Sequence, residues 1–148
     1  METTVKVKKL NDNATLPKYG SQYAAGADLF ACLDSDSITL YPGETVFIHT
    51  GIAVQIPPTL VGLVYARSGL ACKRGVAPAN KVGVIDSDYR GEIMVALHNH
   101  SKEAQTIENG ERIAQIVFTP YIQAELIESE TLDDSERGEG GFGSTGIK

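Results

Sequence analysis

The sequence predicts an all-β domain, built as a small sandwich, jelly roll or barrel. Along its 148 residues helical periodicity is nearly absent, and short segments of β-branched or alternating apolar residues recur instead. Gly, Pro, Asn and Asp separate these segments, as expected for turns between strands. About ten strands in roughly 120 residues are typical of a sandwich, jelly roll or barrel, and the length fits one domain.

One short helix interrupts the predicted strands. It covers 68–73, and we expect Ser68 to be its N-cap because serine commonly caps helices. Segments 92–97 and 110–118 are nearly all apolar in places, so we expect burial on both sides, which in a small all-β protein often means a subunit interface. The predicted strands are 5–10, 27–32, 37–40, 44–49, 52–56, 62–65, 82–85, 92–97, 105–107 and 113–119.

The composition changes at Leu126, where an acidic stretch and then a glycine-rich one follow. Such a segment cannot build a core, so we predict a core domain over 1–125 and a mobile tail over 126–148. Five glycines between 137 and 146 match neither the P-loop nor the Rossmann pattern. Even so, glycine amides can approach phosphate oxygens, Arg137 would add charge, and Phe142 could stack on a base. The alternative is a disordered tail without a function.

The charge balance limits the classes of partner. Thirteen basic residues against 19 acidic ones give a net charge of −6, which disfavours a nucleic-acid backbone or an anionic membrane. An anionic ligand would need a local cluster of donors. The chain shows no signal-like or membrane-spanning apolar run, so we expect a cytoplasmic protein, with a nuclear or viral context left open. Cys32 and Cys72 have no metal-type spacing, and we interpret both as reduced thiols.

The most informative segment is GVIDSDYRGEI, residues 83–93. It places Asp86 directly after an apolar strand, then a second acid, then Tyr89, on a predicted tight hairpin. This arrangement can hold one carboxylate rigidly towards a water molecule, with a flat ring beside it to test the shape of a ligand.

Two further segments carry donors for an anion. Arg67, Ser68 and Gly69 open the predicted helix, where backbone N–H groups, a hydroxyl and a guanidinium would form a phosphate cradle. The alternative is a serine cap beside a solvated arginine, which is the commoner arrangement for such a tripeptide.

In GERIAQ, residues 110–115, Arg112 and Gln115 look buried; the alternative is an ordinary strand whose arginine pairs with an acid.

Asp28 lies among small residues in AGADLFA, residues 25–31. It could organise a loop or hold a magnesium-bound water, or it could be a turn acid that satisfies backbone donors.

His49, His98 and His100 lack a third ligand at a telling spacing, so we predict neither a metal site nor a catalytic histidine there.

Taken in order, five segments resemble the motifs of the trimeric deoxyuridine triphosphate nucleotidohydrolases (dUTPases). The likeness covers 25–146, nearly the whole chain. Three departures are small: Ala66 replaces a usual proline, Glu111 a usual aspartate, and Glu139 a small or polar residue, which would weaken closure of the tail. The five segments are 25–31, 66–71, 83–92, 110–116 and 137–146.

The resemblance implies a jelly-roll subunit in a homotrimer with shared sites. One subunit would give the second and fourth motifs, a neighbour the third, and the third subunit's tail would close the site. The implied reaction splits dUTP into dUMP and pyrophosphate, which keeps uracil out of DNA and supplies dUMP for dTMP synthesis. Asp86 would activate water for in-line attack on the α-phosphorus. Mg²⁺ would bind the triphosphate, mostly through water on the protein side, with Asp28 as a possible second-shell group.

The resemblance also assigns substrate contacts. Tyr89 would lie against the sugar and leave no room for a 2′-hydroxyl, and Phe142 would stack on uracil. The phosphates would be held by Arg67, Ser68, Gly69, Gln115 and Arg137, the base by Asn80, Gly83, Val84, Ile85 and Met94, with Gly143 and Ser144 in the closing tail. Rival interpretations are a dCTP deaminase of related fold, a nucleotide-binding regulator without turnover, and a purely structural jelly roll.

Overall fold

The computed structural model describes residues 3–141. Within this part of the chain, eleven strands and one helix follow one another. They are β1 (Lys6–Lys9), β2 (Lys18–Tyr19), β3 (Ala27–Phe30), β4 (Ser37–Leu40), β5 (Thr45–Gln55), β6 (Leu60–Tyr65), α1 (Ser68–Arg74), β7 (Val76–Pro78), β8 (Gly83–Ile85), β9 (Glu92–Asn99), β10 (Gln105–Glu108) and β11 (Arg112–Pro120).

The strands form three antiparallel sheets. A four-stranded sheet has the order β1-β5-β9-β7, a five-stranded sheet has the order β2-β3-β11-β6-β8, and β10 pairs with β4. Apart from β2 and β3, neighbouring strands are not consecutive in sequence, so the chain crosses repeatedly between sheets, as in a jelly roll. The prediction of an all-β, jelly-roll-like subunit with one short helix is confirmed.

One hydrophobic core lies between the two larger sheets. Ile48 and Leu97 come from the four-stranded sheet, Leu29 and Ile116 from the five-stranded sheet, and all four are almost fully buried. Burying one such side chain contributes about 1.5–3 kcal/mol to folding. The core therefore fixes both sheets, and with them the loops that leave their edges.

Strand β9 alternates between two environments. Ile93, Val95 and Leu97 face the core, whereas Met94 is 44% exposed. The expectation that this strand is buried on both sides is wrong for the single subunit, because successive side chains of a strand point to opposite faces. Strand β11, inside its sheet, comes closer to the expectation: only its two end residues are exposed.

The strand boundaries differ from the predicted ones in two respects. Segments 44–49 and 52–56 form the single strand β5, whose pairing with β9 shifts register between His49 and Ala53. A β-bulge of this kind bends a strand without ending it. The sequence pattern predicts neither β2 nor β7, because strands of two and three residues are too short to show alternation.

Helix α1 begins at Ser68, and Arg67 occupies the N-cap position without a side-chain capping bond in the described chain. The prediction that Ser68 caps the helix is therefore wrong, since Ser68 already belongs to the helix. The helix ends at Gly75, whose φ of 65° is left-handed and whose N–H bonds to the carbonyls of Ala71 and Leu70. A side chain there would also crowd Ser101, since a Cβ would lie 3.0 Å from its Cβ.

Beyond Pro120 the described residues form no regular strand or helix and are exposed as far as Glu139. Near the end the chain turns twice: the Gly138 N–H donates to the Ser135 carbonyl, and the Gly140 N–H to the Arg137 carbonyl. The last strand thus ends slightly before the predicted boundary at residue 126. The mobility of the tail stays a prediction.

Both cysteines are free thiols, as predicted; Cys32 is buried and Cys72 is exposed on α1. In the described part of the chain, no helix has the length and apolar character needed to cross a bilayer.

Candidate functional site

Three of the predicted segments meet on the five-stranded sheet. Gln115 on β11 lies opposite Asp28 on β3 and opposite Tyr65 on β6. The Gln115 Nε2 donates to the Ala66 carbonyl at 2.9 Å. On its other side, a Cβ at Gly26 would lie 2.3 Å from the Gln115 Oε1, so glycine is required there. The ladder pairing therefore brings segments 25–31, 66–71 and 110–116 together.

Asp28 accepts bonds from two arginines. The Arg67 Nε donates to its Oδ1 at 2.7 Å, and the Arg112 Nη1 lies 3.4 Å from its Oδ2. The alternative interpretation of Asp28 as a turn acid is wrong, because Asp28 lies inside β3. Arg112 is not buried, since 54% of its side chain is exposed. The alternative of a solvated Arg67 is also wrong, because its guanidinium is bound and three-quarters buried.

These two arginines belong to a basic cavity of about 310 Å³. Lys73 and Arg74 of α1 line it too, and Glu111 is its one acidic lining residue in the described chain. Two guanidinium groups sharing Asp28 leave a positive charge, in a protein whose net charge is −6. This cavity is the local cluster of donors that an anionic ligand requires. We call it the arginine cluster, consisting of Asp28, Arg67, Lys73, Arg74, Glu111 and Arg112.

Arg74 connects α1 to β10 and to Glu111, which follows that strand. Its Nη1 donates to the Glu111 Oε1 at 2.5 Å, its Nε donates to the Gln105 Oε1 at 3.2 Å, and its Nη2 donates to the Thr106 carbonyl. The second Glu111 oxygen accepts the Glu108 N–H. The sequence analysis missed Arg74, and its position at the basic end of the predicted helix was the available signal. Glu111, noted as a departure, thus has a structural partner.

Ser68 and Gly69, at the start of α1, are both exposed. Among the described residues, no atom lies within 4 Å of a Cβ placed on Gly69. Neither the backbone conformation of Gly69 nor a neighbouring residue of its own subunit therefore requires glycine at this position. Open space above a glycine permits a ligand to approach the backbone closely.

The prediction of a tight hairpin around Asp86 is wrong, because β8 before it belongs to the five-stranded sheet and β9 after it to the four-stranded sheet, and the two strands do not pair. Residues 86–91 instead connect the two sheets. We keep the word hairpin only as a name for segment 83–93.

Strand β8 pairs with β6, and Asp86 follows it directly, exposed to solvent. The Tyr89 N–H donates to the Asp86 carbonyl at 3.1 Å, and the Tyr89 hydroxyl donates to the Glu92 carbonyl at 2.9 Å. The ring packs over Gly91, where a Cβ would lie 2.4 Å from the hydroxyl oxygen. The segment therefore holds the Tyr89 ring in place close to the exposed Asp86.

A cavity of about 200 Å³ opens beside this hairpin. The structure brings five of the predicted residues to it, namely Val84, Ile85, Asp86, Tyr89 and Met94. Asn80 and Gly83 are not among the lining residues but lie next to each other, since a Cβ on Gly83 would be 3.4 Å from the Asn80 Nδ2.

The sequence analysis missed three residues that line this cavity, Phe47, Glu92 and Ile93. Phe47 belongs to β5 of the other sheet and is 64% exposed. Alternation along 44–49 could have placed it on the same face as His49, but the sequence alone does not tell which face is outside. Glu92 was available as the acid that ends the hairpin segment.

The subunit does not bring all predicted residues into one place. In the described chain, the hairpin cavity and the arginine cluster share no lining residue. The Arg137 Nε donates to the Gly140 carbonyl within its own turn. Phe142, Gly143 and Ser144 lie outside the described residues.

The histidines have structural partners. The His49 Nδ1 lies 2.9 Å from the Glu92 Oε2, and the His98 Nδ1 lies 2.8 Å from the Thr45 hydroxyl, with its ring against His100. Across residues 3–141, no three His, Cys, Asp or Glu side chains are grouped so that they could hold a metal ion.

Fold and site together define a class of protein: a jelly-roll-like subunit with a basic cavity at one position and an acid beside an aromatic ring at another. The comparisons make this specific. The family model described as dUTPase matches residues 12–146. A deoxyuridine 5'-triphosphate nucleotidohydrolase of Nautilia profundicola is 51% identical over 96% of this chain and 98% of its own. The corresponding protein of Desulfitobacterium hafniense is 53% identical over 89% and 87%. The chain belongs to the dUTPase family.

Solved structures agree with this assignment. The dUTPase of Staphylococcus bacteriophage 80alpha, determined with dUPNHPP, has a TM-score of 0.87 and 33% identity, covering 99% of this chain and 100% of its own. A dUTPase variant from phage phi11 of S. aureus, described as revealing the coordination of a structural Mg(II) ion, has a TM-score of 0.79 and 26% identity, covering 89% and 100%.

Proposed function

We propose that this protein hydrolyses dUTP to dUMP and pyrophosphate. The observation that carries the proposal is that Asp86 and Tyr89 line one small cavity together, with the Tyr89 ring fixed by the bond from its hydroxyl to the Glu92 carbonyl. Membership of the dUTPase family supports the same reaction. In this role the enzyme would keep uracil out of DNA and provide dUMP, and we expect it to act in the cytoplasm.

Asp86 is the proposed general base. It is exposed and close to the cavity that would receive the nucleoside, so its carboxylate can orient a water molecule and take its proton. The water oxygen would attack the α-phosphorus in line with the departing pyrophosphate. A positioned base usually contributes about 10²–10⁴-fold, so the phosphate contacts must supply much of the remaining acceleration.

The arginine cluster is the proposed phosphate site. Asp28 binds the Nε of Arg67, which leaves the two terminal nitrogens of that guanidinium for phosphate oxygens. Ser68 and Gly69 would add a hydroxyl and backbone N–H groups. Gln115, fixed by its bond to Ala66, would hold one more oxygen. Arg137, with Phe142, Gly143 and Ser144, would close the site from the tail.

Strand β8 is the proposed reader of the base. It is the edge strand of the five-stranded sheet and pairs only with β6 in the described chain, so its other edge presents free N–H and C=O groups. A uracil ring can pair with such an edge, whereas cytosine would leave buried groups unsatisfied. Val84, Ile85 and Met94 would enclose the ring, and Asn80 would contact it from the side.

Tyr89 is the proposed test for deoxyribose. Its ring is fixed through its hydroxyl and through its packing on Gly91, so it cannot move aside easily. A 2′-hydroxyl of a ribonucleotide would meet the ring, and UTP should bind badly for that reason.

The donor set fits a magnesium ion carried by the triphosphate. Both oxygens of Asp28 already accept arginine nitrogens, and no carboxylate cage exists among residues 3–141. Asp28 would therefore reach an ion only through water, as Mg²⁺ bound to phosphates commonly permits. When bound, Mg²⁺ would offset the negative charge of the triphosphate.

A homotrimer would complete the site. The hairpin cavity and the arginine cluster are separate within one described subunit, so a neighbouring copy can bring one against the other. The exposed apolar side chains of Phe47, Val84 and Met94 are available for such a contact. We propose neither nucleic acid nor a membrane as a partner.

Pyrophosphate release from dUTP, UTP, dCTP and dTTP, measured in parallel with Mg²⁺, tests the proposal. Fast release from dUTP alone is expected. Ammonia release from dCTP would favour the deaminase instead. Tight dUTP binding without release would favour a regulator that keeps the fold and lacks the chemistry.

A further inference from the structure

We infer that Glu92 is a positioning residue: it locks the hairpin of Asp86 and Tyr89 onto a bulge in β5 and thereby sets the discrimination against ribonucleotides. The inference rests on the proposed function, and it concerns a contact made by this chain's own residues. Three structural steps carry it.

The first step is the bulge itself. In the ladder between β5 and β9, His49 pairs with Met94 and Ala53 pairs with Glu92, so three residues of β5 lie opposite Ile93 alone. Gly51, in the middle, has a φ of 67°. A Cβ there would lie 2.8 Å from the Ala14 Cβ, so both conformation and space demand glycine.

The second step concerns the hydrogen bonds made by groups of the bulge that are not paired in the ladder. The Gly51 N–H donates to the Glu92 Oε1 at 2.8 Å, and the Thr50 hydroxyl donates to the Ile93 carbonyl at 2.5 Å. The second Glu92 oxygen lies 2.9 Å from the His49 Nδ1. The carboxylate is thus held at both oxygens, and its side chain is only 24% exposed.

The third step connects this carboxylate to the hairpin. Glu92 is the first residue of β9, and its carbonyl accepts the Tyr89 hydroxyl at 2.9 Å. Its side chain holds β5, while its main chain holds the ring that would face the sugar. Glu92 also lines the hairpin cavity. Without the carboxylate, the start of β9 would keep its pairing with Ala53 and its bond from Thr50. It would lose its contacts with Gly51 and His49, so the support of the ring would be less well fixed.

The experiment compares Glu92→Ala with Glu92→Gln, Glu92→Asp and a matched control, Glu44→Ala. Glu44 also accepts a backbone N–H, that of Tyr41 at 2.8 Å, but at the other end of β5. For each full-length variant, kcat and KM are measured for dUTP and for UTP. Where UTP turnover is too slow, its competitive inhibition constant against dUTP replaces them.

We expect Glu92→Ala to lower the preference for dUTP over UTP by about tenfold, since small misplacements of positioning groups have effects of this size or larger. Gln can still accept the Gly51 N–H and reach His49, so it should restore most of the preference. Asp is shorter and should fall between them. Glu44→Ala should leave the preference unchanged.

A general loss of folded enzyme lowers both activities together and leaves the preference intact. An unchanged preference in soluble, trimeric Glu92→Ala overturns the inference, while dUTP hydrolysis by the unmodified protein still stands. If Glu92→Ala does not fold, a preference in Glu92→Asp equal to that of the unmodified protein overturns it. An unmodified protein that releases no pyrophosphate from dUTP contradicts the proposed function instead.

Discussion

The hairpin and the arginine cluster are built on different scales of sequence separation. In the hairpin, the bonds of Tyr89 and of Arg90 span three residues. In the arginine cluster, the two bonds of Asp28 span 39 and 84 residues. Local bonds form wherever the segment forms, whereas the cluster exists only once three strands have paired. The position of the Tyr89 ring thus depends first on a short segment, although Phe47 of β5 completes the cavity beside it, whereas the arginine cluster depends on the five-stranded sheet.

Asp86→Asn gives the largest expected effect and separates the two regions most sharply. The substitution keeps the shape of the hairpin and removes the base, so turnover of dUTP should fall by about 10²–10⁴-fold. Binding of a non-hydrolysable dUTP analogue, measured by calorimetry, should remain close to normal. Near-normal turnover would remove Asp86 from the mechanism.

Truncation before Arg137 leaves both regions in place and removes what we propose as the closing segment. Since the described residues 121–139 are exposed, the core should stay folded and keep the oligomeric state of the full-length protein. We expect kcat/KM for dUTP to fall by roughly tenfold or more, because charge-assisted bonds to phosphate are each worth about 1.5–3 kcal/mol. Sedimentation provides the control for assembly. Full activity would mean that the tail has no role in catalysis.

Asp28→Asn should damage the arginine cluster and spare the hairpin. Asparagine keeps the size of the side chain but loses the charge that fixes Arg67 and Arg112. The KM for dUTP should rise about tenfold, in line with the loss of one charged hydrogen bond, whereas the preference for dUTP over UTP should not change. A change in that preference would show that the two regions are coupled.

Alkylation of the two thiols gives the smallest expected effect. It compares the reactivity of the buried Cys32 with that of the exposed Cys72. Burial raises the pKa of the Cys32 thiol, with further contributions from Glu92 and Asp34. A raised pKa leaves less thiolate at neutral pH, and the thiolate is the reactive form. Cys72, exposed on α1, should therefore react first with iodoacetamide, as read by mass spectrometry, and Cys32 should follow only at higher pH or on unfolding. Equal rates at pH 7 would contradict the burial of Cys32.

The contrast between local and distant contacts explains which sequence predictions succeeded. Alternation and turn residues predicted ten strand segments, of which 44–49 and 52–56 merged into β5 through the bulge at Gly51. That bulge is a property of the pairing with β9, which no single segment encodes. Ser68 has the chemistry of a cap, yet the helix already includes it, and Arg67 with its extended backbone occupies the cap position.

By itself, the sequence determined the all-β class, the closeness of Asp86 and Tyr89 after an apolar strand, and the family whose motifs appear in order. These depend on residue types and on contacts between near neighbours in the chain. Only the tertiary structure decided that Asp28 binds two arginines, that Phe47 lines the hairpin cavity, and that Glu92 fastens the hairpin to β5. Such contacts follow from strand order and register, because they join residues far apart in sequence whose positions only the common core fixes.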